Sequence, residues 1–520
     1  MKRGMVDRSR WLWVLGVPLL AACGAVEDEP VSGTQLALTA QENTERALRG
    51  AHGAGSFIAD SAALATLFSS AGEPDCAPVA VPPCAPGAIC PAVEPPECDA
   101  EAVSVEDLQA SRDDVNQAID DAVQWLREEI FTPANLESED GASATYLLGP
   151  DTLCPPGEDG IDAPGATPAP VAAPDPDCVA QAERLQVRLR LSSPSDGDVD
   201  VALLLTAQKR NPATLQLHRD RVGVTVDLGE LKSALDALDE ELEGVASMSG
   251  KLQLQLRRNG ERDYSVLFNV LDALNVALVD DDNQQITVSL AASAPAAELR
   301  MDGNARLVTG SYDYGAFSVK GPLNAFRSSF DDDEALEPGG NTLPPKTYTG
   351  MIDLFLAGLE GKVVLDGNTD RLNLTGLGLG DASSTLKHDG QLLAQLDLNA
   401  SAGRHFDLNV QKEDNDEATL TLSPSFDLSL LFNFAPLATQ ITDLPAYALN
   451  DRVRISLEGA SPSLRTQADQ VRVLSGTLNM TSSAVPQANV QVVAGSCLFE
   501  SDGESPTHEL LGIYSAGACR

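Results

Sequence analysis

The stretch Leu185-Gln186-Val187-Arg188-Leu189-Arg190-Leu191 decides the fold class of this chain. Its period of two sends Leu185, Val187, Leu189 and Leu191 to one face of a strand and Gln186, Arg188 and Arg190 to the other. The alternation returns in KLQLQLRR (251–258), QQITVSL (284–290), LNLTGLGL (372–379), QLLAQLDLN (391–399), HFDLNV (405–410), ATLTLS (418–423), FDLSLLF (426–432), RVRISL (452–457) and NVQVV (489–493). Asn259-Gly260, Asp302-Gly303, Asp366-Gly367 and Asp389-Gly390 fall between such runs. These dipeptides accept positive φ at little cost and are strong hairpin signals.

Strands with one apolar and one polar face predict a large antiparallel sheet. Its apolar face must be hidden, by closure, by a second sheet or by helices. One cover is LGELKSALDALDEELEG (228–244), with Leu231, Leu235, Leu238 and Leu242 in helical register. Another is a helix over 103–131, where Val105, Leu108, Val115, Ile119, Ala122, Leu126 and Ile130 form a stripe that ends before Pro133. Residues 35–72 read as one or two short helices interrupted by glycine. The expected fold is thus mainly β, a large antiparallel sheet built as a sandwich or as a curved sheet covered by helices, with an N-terminal helical, disulfide-stapled region. No fixed-period repeat supports a propeller or solenoid. An aromatic content of 4% is too low for the girdles of a transmembrane barrel.

The N-terminus carries a separate message. Lys2, Arg3, Arg8 and Arg10 precede the apolar WLWVLGVPLL (11–20), followed by Ala21 and Ala22, the order of an export signal. The apolar run is about half the roughly 20 residues needed to span a bilayer. Leu20-Ala21-Ala22-Cys23 resembles the lipobox of bacterial lipoproteins. The resemblance implies cleavage before Cys23 and attachment of diacylglycerol to its sulfur, so that the chain is held at a membrane by its lipid. Gly24 stands where an aspartate would retain an enterobacterial lipoprotein in the inner membrane, so the resemblance implies the outer membrane, with periplasmic face or cell surface open. The organisation reads as signal peptide 1–22, lipidated tether 23–34, short helices and a Cys/Pro-rich connector 35–100, a helix plus a disulfide-closed Pro/Gly loop 101–180, and a β-rich body 181–520. The loop at 331–346 either divides that body or is an insertion in one sheet.

Cysteine usage agrees with export. Beyond Cys23, eight cysteines remain, an even number that reads as disulfides. Cys154 with Cys178 and Cys497 with Cys519 form two sequence-local pairs. Cys76, Cys84, Cys90 and Cys98 allow three pairings. Zinc competes for these four, but their gaps exceed the two to four residues usual in structural zinc sites.

A formal net charge of −42 disfavours nucleic acid and polybasic membrane contacts. The common nucleophile, nucleotide and zinc-hydrolase motifs are absent. Ser384-Thr385-Leu386-Lys387 matches Ser-x-x-Lys but precedes a hairpin turn instead of opening a helix. His508-Glu509 begins like a zincin motif, yet Gly512 replaces the second histidine. No other cofactor is indicated, but alternating oxygens at Asp196, Asp198 and Asp200 and at Asp366, Asn368 and Asp370 are calcium candidates, although both loops lack the glycine and glutamate of a full calcium loop. The sequence therefore reads as a non-enzymatic, lipid-anchored envelope protein with a structural or binding role at the outer membrane. Its rivals are a carrier of lipid or another apolar ligand in a curved sheet, and an enzyme without a recognisable motif.

Overall fold

The computed structural model describes residues 35–59, 117–140, 143–154 and 176–519, less 239–241, 243, 280–282, 331–346, 367–370, 381, 399–404, 415–416, 424, 442–443, 445, 468–469 and 501–513. Cys23, Cys76, Cys84, Cys90, Cys98, Asn368, Asp370, His508 and the first half of the 103–131 helix lie outside the described residues.

Among the described residues, all 25 strands belong to one antiparallel sheet. It opens with Leu136–Glu139 (β1), Ser143–Leu147 (β2), Arg188–Ser192 (β3), Val199–Leu205 (β4), Arg210–Leu217 (β5) and Arg221–Asp227 (β6). These pair in sequence and lead to two long strands, Val245–Arg258 (β7) and Asp263–Val279 (β8). From there the chain crosses the sheet in pairs of end-to-end segments. Gln285–Leu290 (β9) pairs with the second half of β8, and Ser293–Asp302 (β10) with the first. Leu307–Tyr314 (β11) then returns beside β10, and Phe317–Pro322 (β12) beside β9. The meander continues through Met351–Leu356 (β13) and Leu359–Asp366 (β14), then Arg371–Leu379 (β15) and Ser384–His388 (β16). Gln391–Leu398 (β17), His405–Asp414 (β18), Glu417–Ser423 (β19) and Phe426–Phe432 (β20) extend it. The two runs rejoin on Asp451–Gln467 (β21), whose first half takes β20 and whose second takes β19. Gln470–Ser482 (β22), Val490–Val493 (β23), Ser496–Glu500 (β24) and Tyr514–Ala518 (β25) complete it.

The midpoint breaks fall in line across the sheet and are made of small residues. They include Gly250 in β7, Ala291-Ala292, Gly315-Ala316, Ala357-Gly358, Gly380, Gly459 in β21, Gly476 in β22 and Gly495. Gly250, Gly459, Gly476 and Gly495 have φ of +112°, +155°, +87° and +87°, a region that L side chains rarely enter. Gly315 and Gly358 are required for a different reason: a Cβ on Gly358 would stand 2.6 Å from the Tyr314 carbonyl oxygen, and one on Gly315 2.8 Å from the Ala291 Cβ. This crease lets the strands turn in concert, dividing the sheet into two wings.

Register keeps the apolar residues together. One row on the first wing pairs Leu256, Val266, Leu299, Gly310, Val363, Leu374, Leu408 and Leu422 in turn. A row on the second pairs Val276, Val288, Val319, Leu354 and Leu386. Thr309, Ser311 and Lys362 face the other way. The wings meet across the crease where Phe406 of β18 contacts Phe426 of β20 edge-on at 5.3 Å. Leu422, Val453, Leu457, Val473 and Leu478 bury there in a cluster drawn from both wings.

Helices cover the first strands. Gln35–Ala59 (α1) is a single helix, not the one or two short ones that its glycines suggest. Ala37, Ala40 and Ala47 pack on Leu191, Val199, Val201, Leu217 and Val222, and Gly50 is needed because a methyl there would overlap the Tyr264 hydroxyl. Residues 117–125 are helical and pass into a π turn at Leu126–Ile130, burying Ile119, Ala122, Val123 and Ile130. Pro176–Leu185 (α2) claims Leu185, so the strand read from 185 begins at Arg188 after Gln186 turns at φ +45°. Leu228–Asp236 (α3) is shorter than the run to 244 that its leucines predict. Asp227 caps it by accepting from the Glu230 N–H at 3.0 Å, and Ala234 is fully buried. Leu323–Phe330 (α4) follows β12. Because β12 pairs directly with β13, the sheet continues across the 331–346 insertion. Asp389 and Gly390, at φ +48° and +78°, form the expected hairpin turn between β16 and β17.

Candidate functional site: an apolar trough

Between the helical cover and the C-terminal cluster, the inward faces of β9 to β16 carry leucine, valine, isoleucine and phenylalanine. Leu299 and Leu359 on the first wing are each 45% exposed, and Leu254 beside them is 48% exposed. Leu356 and Leu278 on the second wing are 39% and 38% exposed. A packed core leaves such side chains almost no accessible surface. Here the alternation of the strands turns them to the same face as the buried clusters while their surface stays accessible, an open apolar trough along the creased sheet that ends toward β13 and β16, where Ile352 and Leu386 pack with Leu323, Tyr348, Leu393 and Leu437.

Its walls have little chemistry of their own. Tyr312 lines the first wing, and burial pushes its hydroxyl pKa up. Ser384 accepts a hydrogen bond from the Ala357 N–H at 3.0 Å, beside the crease. His388 ends β16 and is buried, its Nε2 2.8 Å from the Thr349 carbonyl oxygen. Lys387 is adjacent in a strand and opposite in face to His388, and three residues from Ser384, so Ser384 and Lys387 point apart. The Ser-x-x-Lys match therefore brings no hydroxyl and amine together.

The outer faces are polar and laced across strands. Gln253 donates to Gln216 and Thr225, and Asn269 donates to Gln253 at 2.9 Å. Arg300 forms a two-pronged bond to Asp263 at 2.9 and 2.5 Å. That hydrogen bonding and charge outweigh burial and hold the Asp263 carboxyl below the usual carboxylate range. Arg188 acts similarly on Glu137, and Asp427 raises the pKa of Arg454.

The residues singled out in the sequence fall in several places. Cys154–Cys178 and Cys497–Cys519 are disulfides, with Cα separations of 5.9 and 5.0 Å. The first ties the turn after Pro150–Leu153 to α2; the second pins β25 to β24. Asp198 accepts from the Ser195 hydroxyl at 2.5 Å and the Arg219 N–H at 3.1 Å, and Asp200 lies 2.8 Å from His218 Nε2. Burial opposes ionisation of Asp198, yet its hydrogen bonds from Ser195 and Arg219 and the nearby Arg221 charge hold its carboxyl below the ordinary value. The two carboxylates thus serve protein partners, and no group of three or more metal-ligating side chains converges among the described residues. Asp366 ends β14. His405 pairs with Glu360 on another part of the sheet from His388.

The periodicity found the walls of this site but not its floor. The small residues of the crease are visible between alternating runs, as in LAASAP (290–295), DYGAFS (313–318) and LAGLEG (356–361), and their alignment depends on register.

No protein-family model matches the chain, and no curated protein or solved structure matches it.

Proposed function

We propose that this is a non-enzymatic, lipid-anchored envelope protein that binds an apolar ligand in the trough. The anchor rests on the Leu20-Ala21-Ala22-Cys23 signal, and Gly24 after it supports the outer membrane as its destination. Inward-facing leucines that keep 38–48% of their surface exposed support the binding role. Contiguous exposed apolar surface on a soluble domain marks a binding surface, and an apolar cleft with few polar groups is the usual form of a small-ligand site. The carrier reading is therefore favoured over a purely structural one.

The test uses the chain with Cys23→Ser, exported but not lipidated, and a neutral dye that fluoresces in apolar surroundings. Leu299→Glu combined with Leu359→Glu places two carboxylates in the trough. Dye affinity is expected to fall at least tenfold, because enclosing an unpaired carboxylate costs several kcal/mol and about 1.4 kcal/mol is a factor of ten. Thr309→Glu, on the outer face of β11, should bind as the parent does. Equal dye affinity in all three proteins would refute the reading.

A further inference from the structure

We infer that the trough's occupant is the hydrocarbon chain of a membrane phospholipid, lying along the crease and across the strands, with its headgroup outside. The inference rests on the binding role proposed above and names its ligand.

Three observations select a chain of this kind. The inward positions of β9 to β16 present no acidic or basic side chain apart from His388, which is buried at the end of β16 and bonded to Thr349. A peptide or a polar cofactor would leave donors and acceptors unmatched on such walls, at a cost of kilocalories each. The apolar rows run from strand to strand, as in Leu299, Gly310, Val363 and Leu374. With Val266, which pairs with Leu299 on the next strand, the row crosses four strand spacings of about 4.8 Å, an apolar path of roughly 19 Å, long enough for an alkyl chain. Parallel to that row, at the boundary of the wings, the crease crosses the same strands as Ala291-Ala292, Gly315-Ala316, Ala357-Gly358 and Gly380, so no side chain longer than a methyl arises from these positions.

Charge distinguishes the source of the chain. The protein carries a formal net charge of −42, and the inward strand positions offer no lysine or arginine to receive a carboxylate. A free fatty acid would bring its anion to an acidic surface, whereas a zwitterionic headgroup meets no such repulsion.

The test incubates the Cys23→Ser chain with phosphatidylethanolamine vesicles, repurifies it and records a native mass spectrum. The expected result is added mass equal to a phospholipid, released by organic solvent, kept by Thr309→Glu and reduced at least tenfold by the Leu299→Glu and Leu359→Glu pair. Within a series of short-chain phosphatidylethanolamines, affinity should rise about fourfold per methylene until the path is filled. Uptake of palmitate but not phospholipid, or affinity indifferent to chain length, would overturn the inference. If the neutral dye still binds in the trough while no phospholipid is carried, the binding role stands and this ligand assignment falls. If the dye also fails, the trough reading itself is at fault.

Discussion

Replacing Gly476 with alanine tests whether the crease is a close-packed fold line. Gly476 sits at φ +87°, and a Cβ there would stand 2.5 Å from the Glu458 carbonyl oxygen and 2.8 Å from the Pro462 Cβ. Gly495 also has φ +87°, but a Cβ on it meets nothing within 4 Å. The pair thus separates backbone strain from crowding. Holding an L residue in the left-handed region costs about 1–2 kcal/mol, and overpacking a tight contact adds about 1–3 kcal/mol. Gly495→Ala is therefore expected to lose about 1–2 kcal/mol, and Gly476→Ala about 2–5 kcal/mol, the sum of both effects. Urea unfolding of the two variants, followed by far-ultraviolet circular dichroism, gives the comparison. Equal losses would refute the claim that β21 and β22 approach closely at the crease.

Other outcomes follow from the same geometry. Serine in place of Cys154 and Cys178, or of Cys497 and Cys519, should cost about 3–4 kcal/mol per bridge by loop-closure entropy, read as a lower urea midpoint; no change would mean that the closed loops do not constrain the unfolded chain. Asp263 has a folded pKa below its unfolded value, so its pairing with Arg300 contributes stability above the unfolded carboxylate pKa and loses it as pH falls through the folded one. Arg300→Met should flatten acid unfolding in that window by less than about 1 kcal/mol, since the guanidinium is half exposed; a parallel shift at every pH would point to lost packing instead. Adding calcium should leave the urea midpoint of the parent unchanged, because Asp198 and Asp200 are engaged by Ser195, Arg219 and His218; a rise with calcium, abolished by Asp198→Asn, would make that loop a metal site.

Much of the sheet was legible because strand periodicity is local. Residues two apart share a face whatever surrounds them, so KLQLQLRR and FDLSLLF declare their inner sides without tertiary knowledge. The hairpin at Asp389-Gly390 was readable for the same reason, since its positive φ values depend on a few adjoining residues. Helix limits were less so. Leu228 to Gly244 has a helical stripe along its length, yet α3 ends at Asp236. Glycines that argue against one long N-terminal helix are accommodated because Gly50 passes Tyr264, which is more than two hundred positions away.

Local pattern is enough to say which residues are apolar on each strand, where Asp389-Gly390 reverses the chain, and which cysteines lie close enough along it to pair. Long-range pairing was needed to align the small residues at the strand midpoints into one crease, to let β8 and β21 carry both wings, and to turn Leu299 and Leu359 inward without enclosing them. The reason is that hydrophobic burial favours hiding all apolar faces alike. Pairing register and close backbone approach, set by residues far apart in the chain, determine which faces pack together and which border an open trough.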